Sequence, residues 1–172
     1  MNYGGIRLTK EYVQEAYKIC KEYDTPTMDD EIQSCMWYPG MYLYHLYEIK
    51  PDFVIVGKGF PGGEYPASKI LTTAEMDILN QFGALVTNGQ EELASLAYLI
   101  TMTFSQANSE NIARLSDYFE QSLRKLGDKY SSVISKVEGQ GLLAAIHFHD
   151  VPTAAKCAKI INDHCIDTSA QL

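Results

Sequence analysis

Positive charge is the first thing in short supply. Fourteen Lys and Arg stand against 22 Asp and Glu, a formal net charge of −8. Such a chain lacks the broad positive field that holds nucleic acid or an anionic membrane surface, so neither is expected as a partner. Long apolar runs are missing too: stretches such as Phe53 to Gly57 and Gly141 to Ile146 are far too short to span a bilayer. No Cys-x-x-Cys pair occurs. Cys20, Cys35, Cys157 and Cys165 lie far apart, which suits reduced, buried thiols rather than a disulfide framework or a zinc site. Met1 to Gly5 carry no basic region leading into an apolar stretch, so no secretory signal is expected and the cytoplasm is the default compartment. There is no internal repeat or low-complexity tract. Nor is there a Gly-x-x-x-x-Gly-Lys-Ser/Thr run, which excludes a nucleotide P-loop.

What remains is an ordinary globular composition, 46% hydrophobic and 21% charged over 172 residues, enough to bury one sizeable core. Thr9 opens an amphipathic helix in which Tyr12, Val13, Ala16, Tyr17, Ile19, Cys20 and Tyr23 recur at helical spacing. Pro26 stops it, and Thr25 to Met28 read as a short extended segment running into Asp29-Asp30-Glu31. Trp37, Tyr38, Tyr42, Tyr44 and Tyr47 crowd one loop with a short helix, either a packed turn or the wall of a pocket. Phe53 to Val56 is a buried strand by its length and β-branched content. A second strand is expected over about 67–71, and the capping-box spacing Thr72-Thr73-Ala74-Glu75 predicts a short helix after it.

Two longer helices follow, Glu91 to Phe104 and Ser109 to Lys125. Their inward faces are expected to be Leu93, Leu96, Ala97 and Ile100, then Ile112, Leu115, Phe119, Leu123 and Leu126. Beyond Gly127 the pattern changes to two strands, Val133 to Val137 and Leu142 to Phe148, flanking a glycine turn over 138–141. A last helix opens at Pro152-Thr153. The fold class is α/β, with an α/β portion over 1–128 and a small β-β-α portion over 129–172. A two-stranded sheet under one helix is marginal alone, so the second portion reads as incomplete.

Two places could carry chemistry. Lys58 sits in a glycine-rich loop, Gly57-Lys58-Gly59-Phe60-Pro61-Gly62-Gly63, just after the buried strand. A lysine whose ammonium is partly desolvated frees its lone pair for carbonyl attack, and flanking glycines let backbone approach a ligand closely. The plain alternative is a strand-terminal turn with a solvated lysine. The acidic cluster Asp29-Asp30-Glu31, with Gln33 two residues on, falls at a strand end, where α/β sheets place their ligands. Three adjacent carboxylates repel one another, so one of them wants a cationic partner; a capped, solvated turn is the alternative. His147 and His149 would share a strand face beside Asp150, but no third ligand is visible and no metal site is expected.

Asp30-Glu31-Ile32-Gln33 together with 57–68, Gly57 to Ser68, resembles the cofactor motifs of class III pyridoxal-phosphate aminotransferases, closest to the ornithine/acetylornithine branch. Thr87-Asn88-Gly89 stands where that family has a Thr-x-Gly loop, and Glu138 to Leu143 resembles the turn opening its small C-terminal domain. The motif residues lie 28 positions apart from Asp30 to Lys58 and 29 from Lys58 to Thr87. The resemblance implies a partial aspartate-aminotransferase-like large domain plus the start of the small domain. It further implies an internal aldimine of pyridoxal 5′-phosphate on Lys58, the pyridine nitrogen held protonated by Asp30, and the phenolic oxygen bonded by Gln33. Thr87 would reach the phosphate of a neighbouring subunit, making a homodimer part of the site. Ping-pong transfer from an amino acid or amine to a 2-oxo acid acceptor follows.

Ser34 to Gly40 replace the family's Arg-Thr-Gly-type stretch, Pro61 and Glu64 replace small or apolar residues, and Gln90-Glu91-Glu92 replace Gly-Asn-Pro. Family members are over twice as long, and the segments that bind the phosphate, stack on the ring and hold the substrate carboxylate have no counterpart here. A partner chain, an upstream segment or a dimer mate would have to supply them and cover an otherwise exposed sheet edge. The alternatives are a same-fold aminomutase or decarboxylase, and a truncated, non-catalytic scaffold or dimerisation domain. Alone, the chain reads as non-catalytic.

Overall fold

The computed structural model describes residues 5–36, 38–63, 65–80, 82–83, 89 and 91–164. Thr87 lies outside them, as do Trp37, Glu64, Gln90, Cys165 and most of the loop between Gly83 and Gly89. The chain divides into two compact units, Leu8–Ile112 and, with Met1–Arg7, Ala113–Leu172.

The larger unit is built on a three-stranded sheet of order β1-β2-β3, with β1 Met28–Asp30, β2 Phe53–Val56 and β3 Lys69–Thr72. β1 runs parallel to β2 with Asp30 opposite Ile55, and β3 returns antiparallel with Lys69 opposite Val56. Helix α1, Lys10–Glu22, precedes the sheet. Thr9 caps it by accepting from the Tyr12 amide, so the expected start is observed. The helix stops at its cap Tyr23, three residues short of Pro26: Asp24 turns left-handed at φ +50°, and the Asp24 and Thr25 amides donate back to the Lys21 and Cys20 carbonyls. Asp52 ties the entry of β1 to that of β2: its carboxylate accepts from the Thr27 amide at 2.7 Å and hydroxyl at 2.9 Å.

Alternation along β2 buries Val54 and Val56 on one face. They join Cys35, Phe60 and Tyr98 in the unit's core, lined further by Met36, Met41, Tyr42, Tyr44, Ala67 and Met102. Helix α2, Glu92–Ala107, closes that core with Ala94, Tyr98 and Ser105. Its inward face differs from the expected one: Leu93, Leu96 and Ile100 are exposed, as are Leu99 and Phe104. The helix is apolar nearly all round, and period alone says which residues share a face, not which face is covered. The short helix expected after Thr72 does not form either; residues 74–76 make only a turn. The Thr72 hydroxyl donates to the Asp52 carbonyl at 2.9 Å instead of capping, which holds it in the sheet.

The smaller unit carries the greater part of α3, Ser109–Lys129, then β4 Ile134–Gln140, β5 Leu143–Phe148 and α4 Val151–Asp163. β4 and β5 form an antiparallel hairpin whose last pair is Gln140 with Leu143. The turn is therefore Gly141-Leu142, tighter than the expected 138–141, and Gly139 lies within β4. Its φ of +133° and the backbone of Leu143 and Ala144 pressed against its Cα leave no room for a side chain. Gly127 lets α3 approach β4, since a Cβ there would meet Val137 Cγ2 at 2.9 Å. Asp150 caps α4 by accepting from the Thr153 amide at 2.8 Å.

Candidate active site

Parallel pairing brings two of the sequence-derived residues to one end of the sheet. Asp30 closes β1 opposite Ile55, and Lys58 follows the carboxyl end of β2 one residue beyond the buried Gly57. The strand ends of an open α/β sheet are where a ligand can meet backbone and side chains from adjacent strands at once. Lys58 itself adopts φ +49°. A left-handed, non-glycine residue costs about 1–3 kcal/mol of backbone strain; Asp24, Met36, Met41 and Glu48 share that region at turns and helix ends. The flanking Gly57 and Gly59 do not carry that conformation; Gly62 and Gly63, at φ +78° and +75°, do.

Lys58 stands at a cavity of about 720 Å³ lined by Lys58, Gly59, Gly63, Tyr65, Pro66, Ala67 and Ser68. Two segments make its wall, the loop after β2 and the approach to β3. Asp30 and Gln33 belong to the same sheet end but not to this wall. The Lys58 side chain is exposed, so the desolvation expected of its amine is not provided by the described residues. Water exclusion there requires a further covering element.

The acidic cluster divides by strand alternation. Asp30 is exposed and accepts from the Ile32 amide at 3.0 Å, which turns the chain after β1. Asp29 faces the other side and is half-buried; burial, then the neighbouring Glu31 carboxylate, raises its pKa above the ordinary carboxylate value. Tyr17 of α1 lies against it, and burial followed by the Asp29 charge pushes that phenol up strongly. Glu31 is 3% exposed, and its carboxylate accepts from the Ser34 hydroxyl at 2.5 Å and the Tyr44 amide at 2.7 Å. Sequence reading grouped Glu31 with its neighbours; the signal that sets it apart is a serine three positions on, the hydroxyl partner of a turn.

Gln33 sits half-buried in the turn over 32–36. Cys35 is buried against the Gly57 carbonyl, and burial raises its thiol to about 11, an inert structural thiol as expected for it. Tyr65, absent from the sequence-derived site, lines the cavity and donates to Glu91 Oε1 at 2.9 Å. His149 bonds the Ser131 carbonyl at 3.0 Å. No group of three or more His, Cys, Asp or Glu side chains among the described residues is placed to hold a metal ion. No described helix is long and apolar enough to cross a membrane.

Comparison with known proteins gives this geometry its context. Residues 2–167 match the family model for aminotransferase class-III. The chain is 33% identical over 150 residues to the ornithine aminotransferase of Plasmodium yoelii yoelii, covering 84% of this chain and 36% of that protein. It is 30% identical over 148 residues to the acetylornithine aminotransferase of Agrobacterium fabrum, covering 83% and 37%. Among solved structures, acetylornithine aminotransferase from Elizabethkingia anophelis superposes with a TM-score of 0.77 at 28% identity, over 90% of this chain and 42% of that one. Plasmodium falciparum ornithine delta-aminotransferase gives 0.74 at 31% identity, over 83% and 38%. The chain thus spans little more than a third of the length of the curated relatives it matches.

Proposed function

The chain belongs to the class-III aminotransferases and has the fold of part of their pyridoxal-phosphate-dependent catalytic domain; from that premise we propose that it forms one side of an amino-transfer site. Residues 1–128 are the C-terminal part of the cofactor-binding large domain, and 129–172 begin the small domain. The assembly moves an amino group from an amino acid or amine to a 2-oxo acid. What supports the reading is the parallel β1–β2 pair: Asp30 ends β1 and Lys58 follows β2 at the same end of the sheet, where Lys58, though not Asp30, lines a cavity.

The donor set suits pyridoxal 5′-phosphate: an amine for the aldehyde, a carboxylate for a ring nitrogen, and small residues where a planar ring needs room. When bound, that cofactor supplies an electron sink for the charge left on the substrate's Cα. Asp30 would hold a proton at the pyridine nitrogen, because an adjacent carboxylate favours the cationic form. Lys58 would bind the aldehyde carbon and, once released, act as the base that takes the proton from the substrate's Cα. Gln33 would donate to the phenolic oxygen, and Thr87 to the phosphate across a homodimer or partner-chain interface. Elements beyond those described would exclude water over the exposed Lys58.

A second reading is favoured by the uncovered face of α2. Leu93, Leu96, Leu99, Ile100 and Phe104 are all more than half exposed, which suits a scaffold or dimerisation domain that catalyses nothing. One experiment separates the two. The chain is incubated with pyridoxal phosphate, reduced with borohydride and digested. A pyridoxyl mass on the Lys58 peptide, lost in Lys58→Ala, supports the enzyme reading. Absence of labelling, or labelling spread over surface lysines and unchanged in the variant, favours the scaffold.

A further inference from the structure

Glu31 carries an inference of its own. A carboxylate in the interior gives up its hydration, and ion or polar pairs there are weak sources of stability, so their use lies in geometry. Here the geometry is specific. The Glu31 amide donates to the Ile55 carbonyl at 2.9 Å, which extends the β1–β2 ladder past Asp30. Its own carbonyl accepts from the Cys35 amide at 2.9 Å. The side chain then reaches across the loop to the Tyr44 amide, thirteen positions away, and holds Ser34 with its other oxygen.

Closing that loop sets two contacts on the far side of the site. The Tyr42 ring stacks on Phe60 with centroids 5.9 Å apart, and Phe60 packs on Tyr98 at 5.2 Å. Cys35 Sγ lies 3.9 Å from the Gly57 carbonyl, to which the Phe60 amide donates at 3.0 Å. Gly57 and Phe60 flank Lys58. One buried carboxylate is therefore joined by backbone to Asp30 and, through the 34–44 loop, by packing to both sides of Lys58.

We propose that Glu31 is a positioning residue, the latch that holds the Lys58 loop at a set distance from the Asp30 strand end by keeping the 34–44 loop closed. Its value for cofactor binding rests on the amino-transfer reading; its mechanical action does not. The test is amide hydrogen exchange on the full chain. In Glu31→Ala, exchange quickens on the order of tenfold or more at 41–47 and also at 57–63, since two hydrogen bonds to a charged group are lost. Glu31→Gln restores protection at both, because its amide can still accept from Tyr44 and donate to the Ser34 oxygen. Asp52→Asn, which loosens the opposite end of the same strands, leaves 57–63 protected. Ser34→Ala, which removes only one of the two side-chain bonds of Glu31, quickens 41–47 and 57–63 together by a smaller factor and decides the matter if Glu31→Ala fails to fold. Quickening confined to 41–47 in Glu31→Ala, or equal quickening of 57–63 in Asp52→Asn, overturns the proposal. In a second arm, borohydride-fixed pyridoxal phosphate on Lys58 falls on the order of tenfold in Glu31→Ala and recovers in Glu31→Gln. Unlabelled wild type would favour the scaffold over the amino-transfer reading while the exchange result still decides the latch.

Discussion

Phe60 offers the sharpest check on how the Lys58 loop is held. It is 2% exposed, lies two positions after Lys58, and its ring is sandwiched between Tyr42 and Tyr98. Phe60→Ala removes a fully buried ring whose space the short, strand-bound Val54 and Val56 cannot refill and the bordering Met36, Met41 and Met102 refill only in part. Such truncations cost about 3–5 kcal/mol, the loss of two aromatic contacts included. Phe60→Leu, which keeps most of the volume, costs about 1–2 kcal/mol. The assay is urea unfolding followed by the emission of Trp37, the chain's one tryptophan, which belongs to the larger unit's sequence. With a slope of about 1.5 kcal/mol per molar, the alanine variant's midpoint falls by about 2–3 M and the leucine variant's by about 1 M. An alanine shift below about 0.7 M would mean that the ring does not pin the loop, and the packing account of the site would fail.

Two further outcomes follow from groups outside the Lys58 loop. Asp29→Asn stabilises the chain at neutral pH. The native carboxyl holds its proton above the unfolded value of about 3.9, so native stability is fullest below that value and declines as pH rises through the native pKa. The Tm advantage of the asparagine variant should therefore be largest near pH 7 and shrink towards pH 3; an advantage that does not shrink refutes the assignment. Asp52 runs in the opposite sense: Thr27 holds its pKa down, and its contribution is lost as pH falls. Gly139→Ala, at φ +133° and against the Leu143 and Ala144 backbone, should cost on the order of 3 kcal/mol or more. Amide exchange over 134–148 would quicken, and an unchanged pattern there would contradict the placement of Gly139 inside β4.

Sequence alone determined the elements whose causes are local. Thr9 opens α1 and Pro26 bars helix beyond Thr25, β-branched content makes β2, and the motifs over 30–33 and 57–68 resemble those of the family the chain belongs to. These follow because capping, proline chemistry and side-chain period act over a few residues. Only the tertiary structure decided which faces are covered and which neighbours meet. It turned Ala94, Tyr98 and Ser105 of α2 inward rather than the leucines. It drew Thr72 into a bond with Asp52 where a helix cap was expected. It separated Asp29, Asp30 and Glu31 into a half-buried acid, an exposed one and a buried one bonded to Ser34 and Tyr44. Each of those outcomes depends on partners distant in sequence, which local pattern does not encode.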